Sequence, residues 1–420
     1  MATATTDGEI QAGESRAAGA GVFWRYWSAG TVSGVGDAVT SVALPLVAVV
    51  SLHATALQVS LITAASFVSW LLIGLPAGVL VHRLPLRGAQ VAMDLIRAAA
   101  VASVPLAAAF GVLRFTQLIA VALVVGLASV VFDVGNSTFL PSIVSKDELT
   151  ARNSLTSGTR AVTQLGGPSL GGVLVQLLGA AASMAVDAIS YLFSATLLRS
   201  LPRAAHPADG VPRGSMGALI REGWRFVTRH RVMGPCLADA TAVNFVCGGL
   251  MALTPVFLVR TLGAPPALVG ALIATEGVGS LLGAAATPRL VARMGSGRAL
   301  CAAALTAGAF ALLMPLAGKG WALTLFALGN AGFAGGVVVT SIVTRTYRQT
   351  QTPPELLPRV MATVRFISWG AIPVGAVTAG AASALWGTHE ALWLMAGLAL
   401  ASPATLLLSP IRRMRELPQG

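Results

Sequence analysis

The sequence predicts an all-α polytopic membrane protein with twelve transmembrane helices in two six-helix halves. Three observations carry this reading. The 420 residues are 55% hydrophobic and 10% charged, with mean hydropathy +0.77, whereas a water-soluble domain carries about 25% charged residues. The apolar residues come in long runs. TVSGVGDAVTSVALPLVAVV, VALVVGLASVV and ALTLFALGNAGFAGGVVVTSIV are each near or above the ~20 residues that a spanning helix needs. Lysine and arginine, finally, gather in alternate polar breaks. A β-barrel would instead show alternating segments of ~10 residues.

Taken in order, residues 1–22 (MATATTDGEIQAGESRAAGAGV) are polar and small. They lack the basic start and short apolar core of a cleaved signal peptide and are expected to form a disordered cytoplasmic tail. An N-terminal six-helix bundle is expected over 23–200, with spans near 24–50, 56–81, 90–111, 116–143, 154–178 and 180–200. Residues 201–231 form the longest polar interruption and read as a cytoplasmic linker. Within it, Leu219, Trp224, Phe226 and Val227 share part of one helical face. A helix on the membrane surface and a solvated linker helix fit that pattern equally. A C-terminal six-helix bundle follows over 232–409, with spans near 232–260, 267–291, 298–317, 321–346, 359–385 and 389–409, and 410–420 is a basic cytoplasmic tail. Cys236, Cys247 and Cys301 are odd in number and lack CxxC spacing, so neither a disulfide framework nor a metal site is indicated.

With the N-terminus placed inside, 22 of the 28 Lys and Arg fall in inner segments, and only Arg114, Arg260 and Lys319 in outer loops. Arg97, Arg160 and Arg365 lie within spans. The inside bias predicts an even number of spans with both termini cytoplasmic. It also accounts for the net charge of +12 without nucleic acid. The Arg-over-Lys, Ala-rich usage points to a GC-rich bacterial genome, hence a multi-pass protein of the bacterial plasma membrane.

The halves repeat. Arg160 and Pro168 in the fifth span match Arg365 and Pro373 in the eleventh, DELTAR (147–152) matches PELLPR (354–359), and Gly78 matches Gly283. Tandem six-span halves are a transporter architecture, with the substrate expected between them near mid-membrane.

FWRYWSAGTVSGVGDAVTSVALP, DLIRA, VFDVGNSTFLPSIVSKDELTARNSL, GPSLGG and VRFISWGAIPVGA resemble the major facilitator superfamily over nearly the whole chain. Within it they look like the branch of macrolide-efflux and enterobactin-exporter proteins. The resemblance implies the major facilitator fold, alternating access, no cofactor and a monomer. The superfamily's loop motif after the second span maps onto Gly78, Arg83 and Arg87, with His82 where the motif has Asp and Pro85 where it has its second Gly. In the family this loop locks helix ends in one conformation. A histidine there either adds pH sensitivity or is a plain exposed loop residue. Asp94 and Arg97 share one helical face, as an inner-gate cluster with Arg83 or as a local pair. Gly167, Pro168, Gly171 and Gly172 resemble the fifth-span motif associated with export, which rests physically on small-residue contact and a proline kink. The same residues also read as ordinary tight packing without direction.

Asp37 lies ~13 residues, hence ~20 Å, into the first span. An acid there costs on the order of 2.5–3.5 kcal/mol to insert, so it faces the bundle interior or a water-filled cavity. It reads either as a group that exchanges a proton or substrate in each cycle, or as a structural partner of Arg160 or Arg365. The remaining candidate set for proton coupling or substrate binding is Asp133 and Asn136, Arg160 and Gln164, Glu276, Asn330, Arg365 and Trp369. Asp133 and Arg160 are placed to pair. Asp187 and Asp239 read as wet caps near span ends.

The function expected is a secondary active transporter, exporting small amphipathic molecules (a drug, macrolide, siderophore or secondary metabolite) against proton entry. The alternative is an importer or facilitator of a small nutrient on the same fold. No phosphate loop, HExxH, GxSxG or Cys/His cluster occurs, which argues against ATP drive and against an enzyme. The partners implied are the substrate, protons and the lipid bilayer.

Overall fold

The computed structural model describes residues 3–74, 84–144, 146–202, 216–353 and 356–418. The helices are α1 (Thr3–Leu46), α2 (Ala56–Ile73), α3 (Leu86–Ala109), α4 (Phe115–Ile143), α5 (Lys146–Leu178), α6 (Ala180–Arg199), α7 (Met216–Arg229), α8 (Met233–Val256), α9 (Pro266–Met294), α10 (Ser296–Ala311), α11 (Leu323–Gln351), α12 (Leu357–Trp386), α13 (Thr388–Ala401) and the short α14 (Ala404–Leu407). Eleven described helical stretches are long and apolar enough to cross a membrane. The expected ninth span falls on α10, which has 16 residues and so covers only ~24 Å as a helix. Its chain continues in turns toward Ala317.

Three element boundaries differ from expectation. Helix α1 begins at Thr3, inside the stretch read as a disordered tail. Alanine is the commonest residue there, and it is the best helix former. Helix α5 begins at Lys146, so DELTAR is helical rather than a loop. The i,i+4 pair Glu148–Arg152, at 3.6 Å, lies along that turn. Beyond the last span, the basic tail is docked. Gly297 N–H donates to the Arg415 carbonyl (3.1 Å) and Leu417 N–H to Ser296 Oγ (2.8 Å), with Ile411 and Leu417 buried.

Within the first half, α1 packs on α5 and α6, α3 on α4 and α6, and α2 on α4. The second half repeats this with α8 on α12 and α13, α10 on α11 and α13, and α9 on α11. The repeat reaches the backbone. Pro45 and Pro255 each precede a π-helical turn, Val47–Ser51 and Phe257–Thr261. The chain then closes through Ala54 N–H to the Ala48 carbonyl and Ala264 N–H to the Leu258 carbonyl, both 2.8 Å. The corner residue has positive φ in both copies: His53 (51°) and Gly263 (70°). Proline removes an i→i−4 hydrogen bond, and the wider turn absorbs the register change before the chain reverses.

The halves meet along two seams, α5 with α9 and α2 with α12. At the end away from the termini both seams are closed by backbone-close contact. A Cβ on Gly172 would collide with the Pro266 carbonyl and Gly270, and one on Gly380 with Ser60. Without side chains at these points, van der Waals contact can hold the helices together where apolar burial supplies no drive. Gly167 and Gly171 face Ala38, Val39 and Val42 of α1, and the Pro168 carbonyl faces Gly270. The fifth-span motif therefore joins α5 to both α1 and α9.

The linker helix α7 packs on α12 and α8, with Val227 buried and Trp224 and Arg225 exposed. His230 follows it. Its Nδ1 accepts from Val232 N–H (3.2 Å) and Met233 N–H (3.3 Å), capping α8, and its ring lies edge-on to Tyr347. Burial holds the imidazole below its ordinary pKa.

Two predictions follow from these contacts. In a cysteine-free background carrying Ser60→Cys, Gly172→Leu should part the closed end and speed maleimide labelling of the new cysteine, whereas Gly172→Ala should do so less. Unchanged labelling would show that the pair does not hold the seams. The depressed His230 pKa gives stability that is complete above the unfolded value of about 6.5 and lost as pH falls through the folded value. The thermal midpoint in detergent should therefore fall below about pH 6.5, and His230→Asn, which keeps an acceptor, should flatten that slope.

Candidate functional site

Among the described residues, two clusters of polar side chains stand out in the bundle. The first lies inside the first half. Helix α3 starts at Leu86, so Asp94 and Arg97 sit two to three turns inside it rather than at its mouth, and both are buried. Arg97 Nη2 pairs with Asp94 Oδ1, and its Nη1 lies 3.9 Å from Asp37 Oδ1. The guanidinium is sandwiched between the rings of Phe132 (4.3 Å) and Tyr191 (4.4 Å), an attraction that strengthens away from water. The Tyr191 hydroxyl donates to Asp37 Oδ1. On the same face of α6, Asp187 is fully buried. It accepts from Thr40 Oγ1 at Oδ2 (2.5 Å) and from Ser190 Oγ at Oδ1 (3.0 Å).

Asp37 thus meets Arg97 and Tyr191, not Arg160 or Arg365. Its side chain is 45% exposed, while Arg97, Asp94 and Tyr191 behind it are buried. Asp187 is no wet cap, because α1 covers it. Gly36 passes so close to Asp187 and Ser190 that no side chain fits there. Among the described residues no three His, Cys, Asp or Glu converge as metal ligands.

The second group lines a cavity of ≈ 800 Å³ between α2, α8, α11 and α12, in the half of the bundle that carries the termini. The Arg365 guanidinium sits 4.0 Å from the Trp70 ring centroid and 4.2 Å from that of Trp369, and the two indoles meet edge to face at 5.4 Å. Arg345, Arg348, Asp239, Asn244 and the hydroxyls of Thr340, Ser341, Thr344 and Ser368 complete the wall. Asp239 is buried and is likewise not a wet cap.

The other expected residues are spread more widely. Asp133 and Arg160 pair as expected, at 3.4 Å. The Tyr26 hydroxyl donates to Asn136. Gln164 and Glu276 are exposed along α5 and α9, and Glu276 is within electrostatic range of Cys247 on α8. The Asn330 amide is engaged by Thr275 Oγ1 (3.1 Å) and the Leu272 carbonyl (3.2 Å), tying α11 to α9. Arg87 donates to the Leu201 carbonyl (2.7 Å) and anchors α3 to the end of α6. Gly78, His82 and Arg83 lie outside the described residues. Sequence reasoning counts Asp187 among the intramembrane polar residues but reads it as a wet cap, and it omits Tyr191, Thr40, Trp70, Arg345 and Arg348 from the site. Asp187 and Tyr191 have a legible signal, since AVDAISYLFS puts an acid and a tyrosine on one face of an apolar helix.

Removing one partner of a buried ion pair costs about 3–5 kcal/mol. Arg97→Gln should therefore lower the thermal midpoint sharply, and Arg97→Lys should restore only part of it, because lysine loses the stacked plane. Equal midpoints would remove Arg97 from the centre of the first half.

A family model described as transmembrane secretion effector matches residues 18–419. The multidrug efflux pump Tap of Mycolicibacterium fortuitum is 29% identical over 396 residues, covering 90% of this chain and 92% of that protein. The MFS-type transporter YvqJ of Bacillus subtilis (strain 168) is 25% identical over 307 residues, 71% of each chain. Among solved structures, the nucleoside transporter NupG superposes with TM-score 0.76 at 10% identity, covering 92% of this chain and 98% of that one. A bacterial homologue of the iron transporter ferroportin, in its inward-facing state, gives 0.74 at 16% identity with the same coverage. These structural likenesses concern the fold. The chain belongs to the transmembrane secretion effector family of major facilitator transporters.

Proposed function

We propose that this transporter is a proton-coupled exporter of small amphipathic molecules, among them drugs, macrolides, siderophores or secondary metabolites. It works as a monomer in the bacterial plasma membrane with both termini in the cytoplasm. The observation that carries the reading is that one guanidinium, Arg97, meets two carboxyls, Asp37 and Asp94, while a third, Asp187, is buried next to them on hydroxyl partners alone. One cation neutralises one carboxylate. Further negative charge in an apolar bundle is costly, and a proton is the smallest counter-charge that can enter and leave. Asp37 is the half-exposed acid of the group and so is the one placed to exchange it. A proton on Asp37 ends its attraction to Arg97 and weakens the Tyr191 hydrogen bond, which loosens α1 from α3 and α6. The family match and the likeness to Tap support export.

With the termini in the cytoplasm, the cavity faces inward while Gly172–Gly270 and Gly380–Ser60 close the outer end. Substrate enters between α2, α8, α11 and α12. The halves then rock until the outer seams part. No chemical step on the substrate is required.

The test is flux in proteoliposomes with wild type, Asp37→Asn and Glu276→Gln, with and without a proton gradient, on a macrolide, a dye and a catecholate siderophore. One proton moving down one pH unit supplies about 1.4 kcal/mol, which is about tenfold in accumulation. Wild type should concentrate substrate in the export direction by about that factor per coupled proton, and Asp37→Asn should lose it. Gradient-driven flux that survives Asp37→Asn and fails in Glu276→Gln moves the coupling group to α9. Accumulation in the opposite direction makes the protein an importer.

A further inference from the structure

The wall of the ≈ 800 Å³ cavity carries more positive charge than its own acids answer. Arg345 and Arg348 lie at i,i+3 on α11 and therefore share a face. Arg365 faces them from α12. Among the described residues, none of these three takes part in an ion pair, and Asp239 is the only acid in the wall. The other intramembrane cations are answered: Arg97 by Asp94 and Asp37, and Arg160 by Asp133. Arg348 is the strongest case. It is only 8% exposed and its Nε has no hydrogen-bond partner. A buried donor on a charged group is expensive to leave unmade, and a guanidinium is shaped to take a carboxylate, sulfonate or phosphate through two parallel hydrogen bonds.

A second feature stands beside the cations. Trp70 and Trp369, from opposite halves, both lie against the Arg365 guanidinium and meet each other edge to face. They leave a flat, π-rich corner next to the acid-binding face of α11. Their edge-to-face contact crosses the α2–α12 seam, so a ring bound there touches both halves.

We infer that the cavity takes an anionic aromatic substrate: its acid group lies on Arg345 and Arg348, and its ring against Trp70 and Trp369. This rests on the transport reading above and narrows its substrates at the same site to the acidic aromatic ones, setting basic macrolides aside. The ring also gives the substrate a grip on both moving parts. A cationic amphiphile would be repelled by three guanidinium groups, and a neutral one would leave Arg348 unanswered. An anionic lipid headgroup offers the same acid chemistry without the ring.

The experiment is isothermal titration calorimetry on the purified full chain with three probes of one shape: naphthoate, naphthalenemethanol and naphthylmethylammonium. Naphthoate should bind about tenfold more tightly than the alcohol, as one charge-assisted contact predicts, and the ammonium should bind most weakly. Arg348→Gln should cost naphthoate about tenfold and leave the alcohol nearly unchanged, with Arg348→Lys in between. Trp369→Leu should weaken both. The ranking on wild type decides the matter even where a variant fails to fold. Equal binding of all three, preference for the ammonium, or no saturable naphthoate binding overturns the proposal. Displacement of naphthoate by phosphatidylglycerol as strong as by unlabelled aromatic acid assigns the site to lipid and overturns it too. Binding is read without a gradient. Loss of driven flux with the ranking intact therefore defeats the coupling account alone, and flux without the ranking defeats this one alone.

Discussion

A guanidinium in the middle of an apolar bundle cannot be left without counter-charge, and the first half is arranged around that requirement. Arg97 draws Asp94 from its own helix, Asp37 from α1, and the rings of Phe132 and Tyr191 from α4 and α6. Four helices are thereby fixed to one charge. Gly36 exists to let α1 close over Asp187 and Ser190, and without that approach the acids would face lipid. The requirement over-recruits acid, and the excess is what a proton can answer. On the proposed function, a structural necessity and a coupling device are the same set of atoms.

The two halves share their backbone but not their polar contents. The repeated proline, π-helical turn and positive-φ corner place α1–α2 and α8–α9 in matching positions. The buried acid cluster, however, belongs to the first half, while the unanswered cations and most of the cavity wall belong to the second. The proposed function divides the labour accordingly, with protons assigned to the first half and the binding face to the second, and Trp70 on Trp369 joins the two across the seam. The glycine contacts at the far end let such halves rock. They are held by close packing rather than by interlocked side chains that would have to be broken.

Much of the fold was legible because membrane solvation is a coarse constraint. Long apolar runs and the bias of Arg to one side determine spans and order whatever the packing, and the offset Arg-Pro pairs of the fifth and eleventh spans reveal the repeat. The limits lie where helices continue past polar residues. DELTAR is helical, with Glu148 and Arg152 paired along the turn, and α3 begins early, carrying Asp94 and Arg97 inward. For the site, Asp37 and the Asp133–Arg160 pair were readable from the rarity of charge in a span. Partner choice was not. Nothing in one sequence says that Asp37 turns to α3 and α6 rather than α5 or α12, since that depends on helix rotation. Asp187 was misjudged for the same reason: depth was estimated, but its cover by α1 was not visible. Arg345 and Arg348 fall at or just past the end of the span expected over 321–346, and only the extension of α11 to Gln351 carries both into the wall.

The central claim is that the acid cluster around Arg97 holds an exchangeable proton. Its most direct test is infrared difference spectroscopy of the purified protein across a pH step, watching the C=O stretch of protonated carboxyl groups. The account predicts a protonated-carboxyl band in wild type that is lost or shifted in both Asp37→Asn and Asp187→Asn. A band unchanged in both variants, or no such band at any pH where the protein transports, would contradict it.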